Sequence, residues 1–490
     1  MTSGRRPAGL ATAIVLAAGS GTRFGGNKLA ATLGGRPVLQ HVLDALASAG
    51  IADPVVVVGA ETPNLDASIE WRAARRVRNP SPELGLSSSI RIGWTAAVAG
   101  APRPDLVIVA LGDQPLLDPE VVRQLLAEPL DPARPIVVAR HLDGSRNPVR
   151  LEPAAAALVG EASGDRGLGP LLDERPDFVR ELQVTTANPD IDEPKDLERL
   201  IAADWAGRVR ANADQVERFR DAPDEPDFYA PVTRTFVADP GRGDDPVVAA
   251  LLSIARAGDT WLDIGAGAGR YALPLARAVR RVIAIDPSES MLAALRDGAF
   301  AAGIENVRAL PGRWPPEDAL RAQLGPDPAA DAAFIAHVSY DIEAIVPFLD
   351  AMESAVRRDC VAILMTESPA AIAAPFWPLV HGEDRIALPA LPDFLELLAA
   401  RRVAPEIVMV AAERRQWASR EELHRFLRRQ LWTSAGSPAD GRLETALDSM
   451  ASTTADGSIE LPHSAAREVG VVRWDPPRRT ESGPRSRPAV

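Results

Sequence analysis

Leu16-Ala-Ala-Gly-Ser-Gly-Thr-Arg-Phe-Gly-Gly-Asn-Lys28 follows directly on the apolar run Thr12-Ala-Ile-Val-Leu16, and its reading decides the first half of the chain. An apolar run that breaks into glycines reads as a buried strand entering a loop. Glycines at that point let backbone N–H groups come close to phosphates. Arg23 and Lys28 add positive charge for a triphosphate and for departing pyrophosphate. The run is not a Walker A loop, because Gly26 is followed by Asn27 and no Lys-Ser or Lys-Thr pair occurs. It is not G-x-G-x-x-G either, since Phe24 stands in the third glycine's place.

Around this loop the sequence alternates apolar strands with helices. Strands are expected at 12–19, 54–59, 106–111 and 135–139, with a helix near 38–49 and another near 194–205 closing the unit. That alternation implies a mostly parallel sheet covered on both faces. The third strand runs into Gly112-Asp113-Gln114-Pro115, placing a carboxylate at the strand's C-terminal end, where ligands bind in such sheets. Residues 205–220 read as a polar helix, and Asp221-Ala-Pro-Asp-Glu-Pro-Asp227 as a linker or lead-in arm. A second series begins near Pro246, with strands at 260–264, 281–285, 332–336 and 360–366. The expected division is 1–205, a helical lead-in and linker over 206–245, a second domain over 246–475, and a disordered Pro-, Arg- and Ser-rich tail over 476–490. The fold class is α/β, with two doubly wound three-layer domains.

The second series has its own glycine turn, Asp263-Ile-Gly265-Ala-Gly267-Ala-Gly269, and its next strand ends at Asp286. An acidic residue there can accept both hydroxyls of a ribose. Arg270 stands where a NAD fingerprint would place its last glycine. His337 and Tyr340, after the fourth strand, are candidates to touch substrate or act as a base, or simply to pack the strand end. Phe228-Tyr229 either covers this second pocket or packs the core. Trp377 and His381 read as an acceptor lid or an ordinary loop.

The first half resembles the MobA-like nucleotidyltransferases. The resemblance runs through the glycine loop, Asn79-Pro80 with Gly85-Leu-Ser87-Ser-Ser89 and Gly93, Gly112-Asp113-Gln114-Pro115, Asn147-Pro148-Val149, Gly164-Asp165-Arg166-Gly167 and Asp190-Ile-Asp192-Glu-Pro194-Lys-Asp196. It implies a nucleotide-diphospho-sugar-transferase-like Rossmann-type domain. Nucleotide contacts would come from Ala17, Ala18, Gly19, Ser20, Gly21, Lys28, Asn79 and Ser87. Lys28, Arg23 and Asp113 would be catalytic, with Asp113 and Asp192 holding Mg²⁺. The loop is similar to the Leu-Ala-Ala-Gly of the molybdenum cofactor cytidylyltransferases, whereas guanylyltransferases tend to Leu-Ala-Gly-Gly. That implies CTP, or another NTP, as substrate, a molybdopterin-type acceptor and contact with a molybdoenzyme. This chain carries Arg146 before Asn147 where the family often has Gly or His, so the acceptor stays open. Sugar-phosphate or polyol nucleotidylyltransferases are the alternative; they usually lack the serine and Gly-Asp-Arg-Gly blocks.

The second half resembles class I S-adenosylmethionine (SAM) methyltransferases and is expected to share their Rossmann-like fold. The resemblance implies SAM contacts from Asp263, Gly265, Gly267, Gly269, Asp286 and His337, and methylation of a small molecule. No Asn-Pro-Pro-Tyr-like amino-methylation motif occurs, which leans away from base-methylating enzymes. A non-catalytic nucleotide or SAM sensor is a further reading, against which stand Lys28, Asp113 and Asp286.

The bulk composition narrows the partners. The 490 residues carry 54 Lys and Arg against 67 Asp and Glu, a formal charge of −13, which makes a poor general binder of nucleic acid or anionic membrane. Small-molecule acceptors are therefore expected; the oligomeric state is open. The one cysteine, Cys360, sits in an apolar run and excludes an intramolecular disulfide or a cysteine-based zinc site. The apolar stretch 10–19 is too short to span a bilayer and opens the loop rather than a cleavage site, so a cytoplasmic location is expected.

Overall fold

The computed structural model describes the chain except residues 1–9, 20, 60–62, 101, 163, 224–226, 412–414, 463–467 and 478–490. Ser20 and nearly all of the expected tail therefore lie outside the described residues. The chain divides into two compact units, Met1–Leu200 and Ile201–Val490. Each is an α/β unit with a mixed sheet flanked by helices.

Seven strands of the first unit, β1 (Ala11–Ala17), β2 (Val55–Val58), β3 (Arg75–Arg78), β4 (Leu106–Leu111), β5 (Ile136–Arg140), β6 (Val149–Leu151) and β7 (Val179–Gln183), lie in the order β3-β2-β1-β4-β6-β5-β7. Only β6 is reversed; every other pairing is parallel. The unbroken apolar run of β1 has a direct cause: Ala13, Val15 and Ala17 feed one apolar layer, and Ile14, Leu16 and Ala18 feed the other. Both faces are covered, so no polar residue interrupts Ala13–Ala17, and Thr12 is the one polar residue of the strand. Helix α1 (Leu86–Val98) lies unusually close to the sheet, because a Cβ on Gly93 would come within 2.4 Å of Ile14 Cγ2.

The sheet of the second unit comprises β8 (Thr260–Ile264), β9 (Arg281–Asp286), β10 (Val307–Pro311), β11 (Ala330–Ala336), β12 (Val356–Met365), β13 (Glu406–Ala411) and β14 (Glu468–Trp474), in the order β10-β9-β8-β11-β12-β14-β13. Only β14 runs against its neighbours. Cys360 lies in β12 with no solvent exposure, and burial pushes its thiol pKa well up, as suits a core residue. The two helical stretches read around 194–220 are one helix, α2 (Pro194–Phe219), which runs through the division. Its later part belongs to the second unit: Trp205 is buried and donates from Nε1 to the Ile342 carbonyl at 2.9 Å. Among the described residues no helix is long and apolar enough to cross a membrane.

Candidate functional sites

In the first unit, β1 and β4 are neighbours, so the loops leaving their C-terminal ends share one edge of the sheet. Lys28 thereby meets Asp113 at 2.6 Å and Asp192 at 2.9 Å. These residues line a cavity of about 430 Å³ together with Ala17, Ala18, Gly19, Gly21 and Arg23. Gly21 has φ +58°, and a Cβ there would stand 2.6 Å from the Gly26 carbonyl oxygen, so the loop's fold requires glycine. Asn79 and Ser87 do not line the cavity. Asn79 is fully buried and donates to the hydroxyls of Ser88 at 2.8 Å and Ser89 at 2.9 Å. It orders the wall, and Ser89 is the serine that reaches the cavity. The Gly164-Asp165 turn meets the start of α1: a Cβ on Gly85 would lie 2.5 Å from Asp165 Oδ1. Two blocks some eighty residues apart in sequence thus form one side of the site.

Charge at this site is unbalanced. Burial works against the Lys28 ammonium, but Asp113 and Asp192 outweigh it and raise its pKa. Asp190, absent from the sequence-derived metal set, is a further carboxylate in the wall, as is Asp165; burial, then Asp113, raises the Asp190 pKa. Gln114 donates to it, so a residue read only as part of a turn motif positions this acid. Asp113 Oδ1 is buried without a hydrogen-bond partner. An orphaned carboxylate oxygen beside a surplus of negative charge fits a divalent cation. Among the described residues, however, no group of three or more His, Cys, Asp or Glu is already arranged around a common metal position. The Lys28 ammonium sits between the two carboxylates instead.

In the second unit the glycine turn leaves β8 with φ +78° at Gly265, +54° at Gly267 and +81° at Gly269. A Cβ on Gly265 would stand 2.4 Å from Val338 Cγ2, whereas one on Gly267 would meet nothing within 4 Å. The turn is tied to the end of β9: Gly265 and Ala266 donate to the Ile285 carbonyl at 2.8 and 3.0 Å, and Gly267 N–H donates to Asp286 Oδ2 at 2.8 Å. Ser288 N–H holds Asp286 Oδ1 at 2.8 Å. Each carboxylate oxygen keeps a second lone pair, so two ribose hydroxyls can still be received. Burial raises the Asp286 pKa, and the two backbone donors counter it. Asp263 is buried deeper with Oδ1 unpartnered; burial and then Asp286 push its pKa well up. Tyr229 is close enough for Asp341 and Asp286 to raise its pKa further after burial, which brings the lead-in to this edge of the sheet.

His337 directly follows β11 with φ +58°, a conformation rare for a residue with a Cβ. Its Nδ1 lies 3.2 Å from the Tyr340 hydroxyl, which accepts from Met365 N–H at 2.7 Å. Tyr340 is buried and its hydroxyl is the side-chain partner of His337 Nδ1. Burial, then Arg270, brings the His337 pKa down to about 4, so the ring is neutral at pH 7. Trp377 and His381 form no lid: Trp377 is fully buried and His381 Nε2 lies 3.0 Å from the Leu431 carbonyl, both within a helical core packed by Phe376, Leu427 and Leu443.

Two stretches of the chain match known protein families. Residues 13–179 match the MobA-like NTP transferase domain, and residues 262–359 match a methyltransferase domain. The "Bifunctional protein GlmU" of Desulfitobacterium hafniense is 31% identical over 191 residues, 39% of this chain and 35% of that protein. A 3-deoxy-manno-octulosonate cytidylyltransferase of Anaeromyxobacter dehalogenans is 32% identical over 149 residues, 29% of this chain and 56% of that protein. The crystal structure of Rv0371c from Mycobacterium tuberculosis H37Rv is 27% identical and covers 40% of this chain and 98% of its own, with a TM-score of 0.35. The chain spans about a third of the length of the first curated relatives. On these matches, the chain carries a MobA-like NTP-transferase domain fused to a methyltransferase-like domain.

Proposed function

We propose that the chain is a bifunctional transferase. Its first unit would move a nucleotidyl group from an NTP, with CTP the leading candidate, to a phosphorylated small molecule of the molybdopterin type. An acceptor phosphate oxygen attacks the α-phosphorus in line, the bond to the β-phosphate bridge oxygen breaks, and pyrophosphate leaves. The observation that carries this reading is Lys28 held between Asp113 and Asp192 at the mouth of the glycine loop. Asp113 and Asp192 would hold Mg²⁺, which when bound neutralises phosphate charge. The loop N–H groups, Arg23 and Lys28 would bind the triphosphate and offset the charge gathering on pyrophosphate. A second cavity of about 580 Å³ shares Leu16, Leu86, Leu111 and Asp190 with the first and is lined by Arg146 and Arg166. Both guanidinium groups pair with the half-exposed Asp173, at 2.8 and 2.9 Å, and a phosphorylated acceptor would compete with that carboxylate for them.

The second unit would bind SAM on the Gly265–Gly269 turn and Asp286, and methylate a small molecule. When bound, SAM supplies an electrophilic methyl group. Neutral His337 would border the acceptor and, with so low a pKa, would orient rather than deprotonate it.

A second reading of the first unit, a sugar acceptor, is favoured by the name of the Anaeromyxobacter relative, which also supports CTP. A panel of CTP, GTP, ATP and UTP against molybdopterin and sugar phosphates, followed by pyrophosphate release, separates these readings. Release with CTP and molybdopterin is expected. Nucleotide binding without pyrophosphate release from any pair would replace the enzyme with a sensor.

A further inference from the structure

The second unit contains a cavity of about 700 Å³ that the sequence did not announce. Its wall includes Thr366, Glu367 and Ser368, the residues that directly follow β12, together with Arg208, Asn212 and Arg385. One strand, β11, separates β12 from β8, so the cavity opens roughly 10 Å along the sheet edge from the glycine turn. That is the edge at which β9 ends in Asp286 and β11 runs into His337.

Arg385 is the unusual member of this wall. Its guanidinium lies 4.0 Å from the ring centroid of Trp377 and 5.1 Å from that of Trp432. Indole contact occupies the faces of the cation and leaves its edges for hydrogen bonds. Nη2 donates to Asn212 Oδ1 at 3.1 Å, while Nη1 is shut from solvent and has no partner. Among the described residues no carboxylate pairs with it. The nearby acids are otherwise placed: Asp393 is bound by Arg208 and by the Ala390 N–H, and Glu367 is exposed. Burial lowers the Arg385 pKa to about 10, still charged at pH 7. This cation is fixed by two indoles and an amide in a cavity wall, with one buried nitrogen unsatisfied and no carboxylate among the described residues paired with it.

We propose that this cavity receives the methyl acceptor and that the acceptor carries an oxyanion, a carboxylate or a phosphate, bound by Arg385. The proposal rests on the reading of this unit as SAM-dependent. Titration calorimetry of the full chain with inorganic phosphate and, separately, acetate, at constant low ionic strength and saturating S-adenosylhomocysteine, compares wild type with Arg385→Gln. The variant should lose one binding event, with at least tenfold weaker affinity for one of the two probes; whichever probe is affected names the anion. Equal binding of both probes by the two proteins overturns the proposal. Should Arg385→Gln not fold, phenylglyoxal modification of wild-type Arg385, read by peptide mass spectrometry, replaces it. Severalfold slowing by the anion supports the site, and an unchanged rate overturns it. S-adenosylhomocysteine binding is titrated by itself, so its absence defeats the cofactor reading without being mistaken for failure of the anion site.

Discussion

At Lys28 one ammonium serves two carboxylates, and that competition sets what single substitutions should do. Removing Asp113 takes away the only acid in the loop after β4 that both touches Lys28 and leaves an oxygen unpartnered. Asp113→Ala should lower Mg²⁺-dependent pyrophosphate release by roughly a hundredfold or more, the loss expected for several kcal/mol of charge stabilisation. Calorimetric SAM affinity of the same variant should be unchanged, and joint loss of both would contradict separate sites. His337 gives a second residue-scale test, through pH. Its pKa falls from 6.5 to about 4 on folding, so between those values the unfolded chain binds the extra proton. The neutral ring therefore contributes stability that is complete above pH 6.5 and drains away as pH falls toward 4. The full span is about 3 kcal/mol at 1.36 kcal/mol per pKa unit. Denaturant titrations between pH 4.5 and 7, with the second unit's transition identified by its shift on adding SAM, should show this slope in wild type. His337→Asn, which tolerates the left-handed backbone, should flatten it; an identical slope in both proteins would remove His337 as its source.

Among the elements, the glycine of α1 carries the sharpest steric demand. A Cβ on Gly93 would meet Ile14 Cγ2 at 2.4 Å and Val57 Cγ2 at 2.9 Å. Gly93→Ala should therefore destabilise the first unit by about 1–3 kcal/mol through overpacking, despite alanine's better helix propensity. Ile14→Ala in the same chain should recover part of the thermal midpoint, whereas no recovery would place the strain elsewhere. Packing of this kind also explains what was legible in advance. The strands read from sequence, such as 12–19 and 260–264, are central and covered on both faces, so their residues are almost all apolar, Asp263 standing out as the buried acid of the site. Several strands that escaped reading lie at edges or are short: β3 is Arg-Arg-Val-Arg, β6 has three residues, and β13 is mostly exposed; β14 escaped too, although it is buried and paired on both sides. The pairing of the edge and short strands is imposed by neighbours rather than by their own pattern. The same holds for the candidate sites. Glycine turns and their aspartates announce themselves by spacing, whereas Asp190 and Arg385 gain their meaning only from residues distant in sequence.

For the whole molecule, the question is where the second unit begins. Reading the sequence places its domain start near Pro246, with a linker before it. Yet Arg208, Asn212 and Gln215 of α2 hydrogen-bond to Asp393, Ile386 and Asp384, and Trp205 and Val216 are buried. These are core contacts, not linker contacts. We therefore expect a fragment starting at Ile201 to unfold cooperatively and bind SAM as the full chain does. A fragment starting at Pro246 loses the Trp205 side chain, for which the usual penalty of removing a buried aromatic is roughly 3–5 kcal/mol. It also leaves the amide and carbonyl partners of Asn212 and Gln215 unsatisfied. Set against total stabilities of about 5–15 kcal/mol for a domain, that loss is large enough to show as a lowered denaturation midpoint and exposed apolar surface. Equal midpoints for the two fragments would return α2 to the role of a spacer. They would also weaken the Arg385 cavity, since Asn212, the residue that steadies the guanidinium edge, belongs to the same helix.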